Sequence, residues 1–404
     1  MEPKIRLKGF TGEWIVKPLS EILTISTEQN KRNVFTKEDV FSVSDEFGIV
    51  NQIKHLGRSY AGKSLTGYKV LRTNQVVYTK SPLRAKPYGI IKVNEAGVGI
   101  VSVLYAIYDV NEGIYPKFID RYFEPSYRTN NYLLPLINKG AKNTINISDQ
   151  TAISGSIYLP AEENEQIAIC AYLDNLDSQI RKTSSKIEAL RQIKSASLQS
   201  MFPQEGETKP RVRFKGFEGE WENVSLGEET YPAGIKNHDN LPLESYSISN
   251  EYGFIPQNVQ FENGGTMATA DKRMYYIVSK NSFGYNPARI NVGSLGYYTG
   301  DSNVIVSSLY EIFKTSDRIC DTFLLYWFKT STFQKLIEQY QEGGVRFYFF
   351  YDKLCMCHTL IPSYEEQQKI ANYFINLDTQ ITLQTQRLEK LKQIKSACLD
   401  NMFV

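Results

Sequence analysis

The sequence predicts an α+β fold built from two similar halves, each a β-rich domain followed by one long helix. Two repeats indicate the halves. The segment Lys4–Trp14 returns as Arg211–Trp221 at an offset of 207 residues, and Asp177–Phe202 returns as Asp378–Phe403 at an offset of 201. On a chain of 404 residues these offsets are typical of a duplication with pseudo-twofold symmetry. The third observation is a seven-residue apolar period near the end of each half, which predicts the helices.

The first part of each half is related between the two copies and predicts short strands. Phe41–Ser44 matches Tyr246–Ser249, and Val101–Tyr108 matches Val306–Phe313, both at an offset of 205. Turns rich in Gly, Asn and Pro separate these runs, as expected for β-rich domains. A helix is predicted over roughly 321–341 in the second copy, with its equivalent near 116–138 in the first.

The last part of each half is predicted to be a single long helix. Residues 162–201 contain neither Gly nor Pro, and a helix of about 40 residues is about 60 Å long. Ser363–Glu366 has the pattern of a capping box at the start of the second helix, and Pro203 ends the first. Apolar residues at the a and d positions favour a helix pair. The predicted pairing residues are Leu173, Leu176, Ile180, Ile187, Leu190, Phe374, Leu377, Ile381, Leu388 and Leu391.

These segments give the predicted boundaries. The first domain is expected over residues 1–158 and the first helix over 159–203. A linker over 204–210 separates the copies. The second domain is expected over 211–360 and the second helix over 361–404. The alternative to a helix pair is that each heptad helix docks on its own domain as an amphipathic helix.

The composition fits globular domains without a membrane segment. The net charge is only +2, so an argument for nucleic-acid binding has to rest on local charge. No apolar run approaches the roughly 20 residues of a membrane span, and the N-terminus lacks the apolar core of a signal peptide. Five scattered cysteines favour a reducing compartment, and we expect a cytoplasmic location.

One motif suggests nucleotide binding. Gly57–Ser64 fits the GxxxxGK[ST] pattern of a P-loop. A working P-loop needs an apolar strand before it and a helix after it, whereas a turn and a strand are expected after Ser64. The second copy lacks the Lys-Ser pair at the equivalent place. We therefore expect a basic, Gly-rich loop that faces a phosphate of DNA.

Two further motifs are weaker still. Asn286–Arg289 resembles the Asn-Pro-Pro-Tyr loop with which amino-methyltransferases hold a target amine, but it lacks the second proline and the aromatic residue. No Gly-rich cofactor loop precedes it, so a plain turn is expected. Cys355–His358 suggests a metal site, yet no second Cys/His pair exists. The alternation over 354–357 fits a buried strand instead.

Local charge distinguishes the two domains. Residues 41–94 contain nine Lys or Arg and two acids, a net charge of +7, with four interleaved tyrosines. That composition is typical of a face that follows phosphates, although a solvated loop surface is the alternative. Residues 245–300 carry only +1 and are rich in amides, which can bond base edges. The predicted DNA-binding residues are Lys54, Arg58, Lys63, Lys69, Arg72, Lys80, Arg84, Lys86, Lys142, Lys272, Arg273, Lys280, Arg289 and Arg346.

Three repeated features together resemble the specificity (S) subunit of type I restriction–modification systems. They are the KGFxGEW motif that opens each half, the stretches Pro160–Gln166 and Pro362–Gln367, and the closing helices with Leu-Asp-x-Gln-Ile. The resemblance covers essentially the whole chain. It implies two target recognition domains, one for each half of a split, asymmetric site in double-stranded DNA. It also implies that the two long helices pair antiparallel as a coiled coil, act as a spacer and dock two modification (methyltransferase) subunits.

The same resemblance implies a chain that is not itself an enzyme and binds no cofactor. S-adenosylmethionine would belong to the modification subunits, and ATP with Mg to the restriction (motor and endonuclease) subunits. Two other functions remain open from the residues alone. One is an enzyme that uses Gly57–Ser64 for nucleotide binding or Asn286–Arg289 for methyl transfer. The other is a coiled-coil scaffold that does not touch DNA.

Overall fold

The computed structural model describes residues 2–139, 145–261, 271–344 and 346–404. The chain forms two compact units. Unit 1 comprises Met1–Ser184 and Gln386–Val404, and unit 2 comprises Ser185–Thr385. Each unit therefore contains one β-rich domain together with parts of both long helices.

Unit 1 is built on a four-stranded antiparallel sheet. The strands of unit 1 as a whole are β1 (Ile15–Pro18), β2 (Leu23–Ile25), β3 (Phe41–Ser44), β4 (Gly48–Asn51), β5 (Lys69–Leu71), β6 (Val76–Tyr78), β7 (Ile91–Val93), β8 (Gly99–Val101), β9 (Ala106–Val110), β10 (Asn138–Lys139), β11 (Ile145–Asn146) and β12 (Ser156–Leu159). Its helices are α1 (Leu19–Ile22), α2 (Gln52–Leu56), α3 (Pro116–Tyr122), α4 (Ser126–Leu133) and α5 (Asp149–Ala152), followed by α6 (Glu163–Ser200), which continues into unit 2. The four-stranded sheet has the order β2-β9-β6-β7, and β1-β12, β3-β4, β5-β8 and β10-β11 form antiparallel pairs.

Unit 2 repeats this arrangement. Its strands are β13 (Glu222–Ser225), β14 (Thr230–Pro232), β15 (Ile235–Lys236), β16 (Tyr246–Ser249), β17 (Gly253–Pro256), β18 (Tyr276–Val278), β19 (Ser282–Tyr285), β20 (Leu295–Tyr298), β21 (Val304–Val306), β22 (Glu311–Thr315) and β23 (His358–Ile361). Its helices are α7 (Leu226–Glu229), α8 (Gln257–Gln260), α9 (Asp321–Trp327), α10 (Ser331–Tyr340) and α11 (Tyr351–Cys355), and α12 (Tyr364–Asn401) begins here. The sheet order β14-β22-β19-β20 is the counterpart of β2-β9-β6-β7. The predicted α+β repeat is confirmed.

The repeated sequence motifs form the same aromatic core in each unit. In unit 1, the Phe118 ring lies 5.9 Å from Trp14 and 5.2 Å from Phe403. In unit 2, the Phe323 ring lies 5.8 Å from Trp221 and 5.2 Å from Phe202. All six rings are buried. The tryptophan of the opening motif and the phenylalanine that follows the end of a long helix are therefore repeated because both pack on the same ring, Phe118 or Phe323.

The Glu-Gln pair that begins each long helix fastens the helix to its domain. Arg6 donates to both carboxylate oxygens of Glu165 at 2.8 Å, and Arg213 does the same with Glu366 at 2.7 Å. The next residue, Gln367, accepts from the Cys320 N–H at 2.8 Å and donates to a main-chain carbonyl. These bidentate pairs fix the opening motif against the helix N-terminus.

The predicted capping box at Ser363 forms only in part. Its hydroxyl oxygen accepts from the Glu366 N–H at 3.4 Å. A complete box would also need the Glu366 carboxylate to bond the backbone N–H of Ser363. That carboxylate is instead held by Arg213. A partner 153 residues away has displaced the local interaction.

Each unit packs the start of one long helix beside the end of the other. In unit 1, Leu173 and Leu176 of α6 share a core with Leu391 and Leu399 of α12. In unit 2, Leu190 of α6 shares a core with residues near the start of α12. The helices therefore run antiparallel within each unit. Seven of the predicted pairing residues are buried, and Ile180, Ile381 and Leu388 are half-buried.

Two local predictions were wrong. The single helix expected over 321–341 is broken into α9 and α10. Thr330 starts the second helix, because its hydroxyl donates to the Trp327 carbonyl and accepts from the Phe333 N–H. Leu354–Cys357 is not part of a strand. The helix α11 ends at Cys355, and β23 begins only at His358, since the chain must cap the helix before it pairs with β13.

An ion-pair network fixes α12 to unit 1 and gives a prediction about acid. Lys395 lies 2.6 Å from Asp177 and 2.5 Å from Glu124, and Arg121 contacts both carboxylates. Burial alone would raise the pKa of Asp177, but Lys395 and Arg121 outweigh it and hold this pKa below its ordinary value. A lowered carboxylate pKa stabilises the fold above the unfolded-state pKa, and this contribution is lost as the pH falls through the folded-state pKa.

We therefore expect the melting temperature of the wild type to fall more steeply below about pH 4 than that of Asp177→Asn, because the unfolded-state pKa of Asp is about 3.9. Thermal melts recorded from pH 7 to pH 3 measure the difference. The exposed replacement Glu188→Gln is the control. Parallel curves for the wild type and Asp177→Asn would contradict the assignment.

Candidate nucleic-acid interface

Gln52 in unit 1 holds the basic, Gly-rich loop Gly57–Ser64, which follows α2, against the rest of the domain. The Gln52 side chain donates to the Ser42 hydroxyl at 2.8 Å and accepts from the Tyr60 N–H at 2.8 Å. Gly57, with φ +75°, ends α2 in the left-handed conformation that glycine tolerates best. The loop is therefore tied to the β3-β4 hairpin from behind, so its outer side is left open.

The loop does not have the geometry of a P-loop. It follows a helix instead of an apolar strand, and the next regular element after Ser64 is the strand β5. No helix N-terminus is therefore directed at a phosphate bound there. Lys54, Arg58 and Lys63 are exposed and make no ion pair with any other residue in the described part of the chain. The Arg58 guanidinium lies 4.7 Å from the centre of the Tyr60 ring.

Several predicted DNA contacts in unit 1 are already neutralised. Lys69 and Lys80 both bond Asp149, and Arg72 forms a bidentate pair with Glu28 at 2.8 Å. In all three of these ion pairs the carboxylate, Asp149 or Glu28, lies outside the segment over which charge was counted. The net +7 of residues 41–94 therefore overstates the charge that this surface offers to DNA.

Lys86 is not available as a DNA contact, which corrects the prediction. Its side chain is 1% exposed. The ammonium donates to Asp45 at 2.7 Å and to the main-chain carbonyls of Phe123 and Glu124 at 3.3 and 3.0 Å. A buried charge must be compensated in this way, so Lys86 holds the hairpin against the end of α3. Arg84, two residues earlier, is exposed and makes no ion pair with a described residue.

The predicted residues of unit 2 are placed more sparsely. Lys280 is paired with Asp301 at 2.5 Å, and Arg273 lies 3.9 Å from Asp271. Lys272 is half-buried. Lys142, predicted in the first domain, lies outside the described residues. Arg289 and Arg346 are both exposed and line one cavity.

That cavity, here called the Arg289 pocket, has a volume of about 680 Å³. Its lining residues are Asn286, Pro287, Ala288, Arg289, Asn291, Ser308, Leu309, Glu311, Arg346, Phe347, Tyr348 and Phe350. The Asn286 side chain accepts from the Ala288 N–H at 3.0 Å, which shapes the loop between β19 and β20. The Tyr348 and Phe350 rings are stacked, with centres 5.5 Å apart and planes at 2°. The pocket therefore combines cations, amides and aromatic rings.

Sequence reasoning missed four residues of these surfaces. Gln52 was detectable, because Gln257 occupies the equivalent place at an offset of 205. Glu311, Phe347 and Phe350 had no such signal, since nothing in the sequence shows that β22 and the segment before α11 meet the Asn286 loop. Conversely, Arg84 and Arg289, which the sequence did predict, lie in corresponding loops, one between β6 and β7 and the other between β19 and β20. Both follow a proline and both are exposed.

Other kinds of site are not found among the described residues. They contain no group of three or more His, Cys, Asp or Glu side chains suited to holding a metal ion. Cys357 is fully buried, and burial raises the pKa of its thiol to about 12. No helix in the described ranges has both the length and the apolar character needed to cross a membrane.

Two repeated domains, each followed by a 38-residue helix, define a class of fold. It is the fold of type I restriction–modification specificity (HsdS) subunits, which confirms the resemblance predicted from the sequence.

Three solved structures carry this comparison. The chain is similar to the HsdS subunit from Thermoanaerobacter tengcongensis, with 15% identity, a TM-score of 0.50, and coverage of 97% of both chains. It is similar to the type I restriction–modification S subunit from M. genitalium, with 14% identity, a TM-score of 0.55, and coverage of 100% of this chain and 99% of the other. A chain from a study of complex assembly and conformational transition of the type I R-M system matches at 15% identity and a TM-score of 0.50, over 97% and 98% of the two chains. No protein-family model and no curated protein matches the sequence.

Proposed function

We propose that this chain is the DNA-specificity subunit of a type I restriction–modification complex. The observation that carries the proposal is that Arg84 and Arg289 lie in corresponding loops of the two units. Both are exposed, without an ion pair to a described residue, and each lies two residues after a proline in the corresponding loop of its unit, between β6 and β7 or between β19 and β20. Arginine is the side chain best suited to bond phosphates and guanine edges. Unit 1 would read one half of a bipartite, asymmetric site, and unit 2 the other.

The long helices supply the second part of the proposal. Their inward residues pack within each unit, so their outward faces are available for two methyltransferase subunits. Restriction subunits would join the same assembly in the cytoplasm. In this proposal the chain is not catalytic and holds no cofactor, and S-adenosylmethionine, ATP and Mg are used by the partner subunits.

Replacing Arg84 or Arg289 by alanine is expected to weaken duplex binding about tenfold each, in line with the typical cost of losing one good arginine contact. If the arginine bonds a phosphate, the slope of log affinity against log salt should fall by about one. The measurement is a fluorescence-anisotropy titration of the full chain with its methyltransferase partners, at several salt concentrations.

The double replacement Arg72→Ala with Glu28→Ala is the matched control. It removes an exposed pair of opposite charges, so affinity and salt slope should stay close to those of the wild type. Equal losses in the control and in Arg289→Ala would contradict the proposal. Duplex binding with no salt dependence in any variant would favour a scaffold that does not touch DNA. Saturable ATP binding that is lost in Lys63→Ala would favour an enzyme.

A further inference from the structure

The Arg289 pocket brings together groups that suit the separate parts of one nucleotide. Glu311 lies at one side of it, at the start of β22. Phe347 and Phe350 are 50% and 43% exposed, so their rings offer open apolar surface. Arg289 and Arg346 lie on the rim without an ion pair to a described residue. Cations suit a phosphate, rings suit the face of a base, and a carboxylate suits its amino group.

Glu311 is placed to receive a hydrogen-bond donor. It is directly opposite Tyr285 in the β19-β22 ladder, on the side of the sheet that faces the core. It makes no ion pair with any residue in the described ranges. Burial raises the pKa of Glu311, the N–H of Tyr351 partly offsets this, and Asp352 raises it further. One carboxylate oxygen is therefore engaged by the start of α11, and the group still lacks a full set of donors.

A buried hydroxyl beside the carboxylate is also without a partner. The Tyr285 side chain is fully buried, and its hydroxyl makes no hydrogen bond to another described residue. Burial, together with the nearby Glu311 charge, raises the pKa of Tyr285 well above its ordinary value. This hydroxyl remains a neutral donor and acceptor next to Glu311. Buried polar groups normally have partners, and the unpaired Tyr285 hydroxyl shows that Glu311, the one of the two that lines the pocket, receives no donor from it.

In the described part of unit 1, the place that corresponds to Glu311 has no carboxylate. In the corresponding strand pair of unit 1, Ala106 lies opposite Tyr78, as Glu311 lies opposite Tyr285 in unit 2. The Tyr78 hydroxyl has a partner, because it donates to the Tyr88 carbonyl at 2.6 Å. The feature is therefore specific to unit 2 and is not part of the shared scaffold.

We propose that the Arg289 pocket binds one nucleobase that carries an exocyclic amino group and has left the stack of the duplex. The base would lie against the Phe347 and Phe350 rings and donate to Glu311, while Arg289 and Arg346 hold the flanking phosphates. A base paired inside a duplex cannot enter a pocket, so the nucleotide must be unpaired and rotated out. Thymine is disfavoured, because both groups beside its ring N–H are carbonyl oxygens that would face the carboxylate. The proposal rests on the DNA-binding function proposed above.

The test uses the full chain with its methyltransferase partners and a duplex carrying its own site. The half-site read by unit 2 is the one whose base preferences change in Arg289→Ala. Each base pair of that half-site is then unpaired in turn by replacing the opposite base. Unpairing removes the cost of extrusion, so one position, bearing an amino base, should bind about tenfold more tightly when mismatched. The same scan across the other half-site should give no such gain, since Ala106 stands in place of Glu311.

Two variants connect the gain to the pocket. Glu311→Gln keeps an oxygen for the Tyr351 N–H but replaces one acceptor by a donor, and Phe350→Leu removes a ring at an exposed edge. Each should abolish the gain at that position while the melting temperature stays close to that of the wild type. If Glu311→Gln fails to fold, Phe350→Leu alone decides.

The outcomes separate the two proposals. No position with a gain, or a gain that survives both variants, overturns the nucleobase pocket while salt-dependent duplex binding keeps the DNA-specificity function. A complex that binds no duplex, matched or mismatched, overturns both.

Discussion

Replacement of Glu366 by alanine is expected to lower the free energy of unfolding by about 3 kcal/mol, the range typical of breaking a buried ion pair. The Glu366 side chain is 1% exposed, and that of its partner Arg213 is 17% exposed. Among the described residues, the substitution leaves the mostly buried guanidinium with one hydrogen-bond partner, the Gly219 carbonyl 2.6 Å away. It also removes a negative charge from the first turn of α12, where the helix dipole favours one.

Denaturant unfolding of the full chain measures the effect, with two controls. Glu366→Gln keeps the shape and one acceptor, so its loss should be clearly smaller. Glu365→Ala replaces the exposed neighbour and should change stability by less than about 0.5 kcal/mol. Equal effects at positions 365 and 366 would show that helix charge alone, and not the Arg213 pair, stabilises this junction.

We expect that inserting one heptad into each long helix, after Ser184 and after Thr385, changes the preferred spacing between the two half-sites. The base sequence read in each half-site should stay the same. Seven residues add about 10 Å to a helix, which corresponds to about three base pairs of duplex. Affinity for the original spacing should fall strongly, because only one half-site can then be bound in register, and each mismatched base pair typically costs about 1–3 kcal/mol.

Selection of duplexes from a library randomised in both half-sites and in spacer length reads the outcome directly. Insertion of seven residues preserves the a and d positions, so the packing within each unit should persist. A three-residue insertion breaks this phase and is the control, with a lower melting temperature expected. Unchanged spacing together with altered half-site bases would refute the spacer role of the helices.

The two-copy architecture was predictable because its signals are local in sequence. The opening motif, the Glu-Gln pair and the heptads each recur at a fixed offset, and each consists of residues that the fold uses in the same way twice. Trp14 and Trp221 pack on matching phenylalanines, while Glu165 and Glu366 hold matching arginines. A residue type that has the same structural role in both halves occurs in both halves, so the sequence shows it twice.

The binding surface was less predictable because a charge count over a stretch of sequence leaves out acidic partners that lie far away along the chain. Lys69 and Lys80 are neutralised by Asp149, which is 80 and 69 residues away. Lys86 is buried, and its ammonium donates to two main-chain carbonyls at the end of α3. A window of sequence records the cations and omits such partners. Only folding decides which side chains still face solvent.

The sequence alone thus determined that the chain is duplicated and that residues 41–94 and 245–300 differ in charge, since both follow from comparing one half with the other. Tertiary structure decided which of the predicted cations, above all Arg84 and Arg289, make no ion pair with a described residue, and which are held by a partner. It also decided that Glu311, Phe350 and Arg289 meet at one pocket although they are scattered over 62 positions of the sequence. Sheet pairing and helix breaks create that proximity, and neither is encoded by a local pattern.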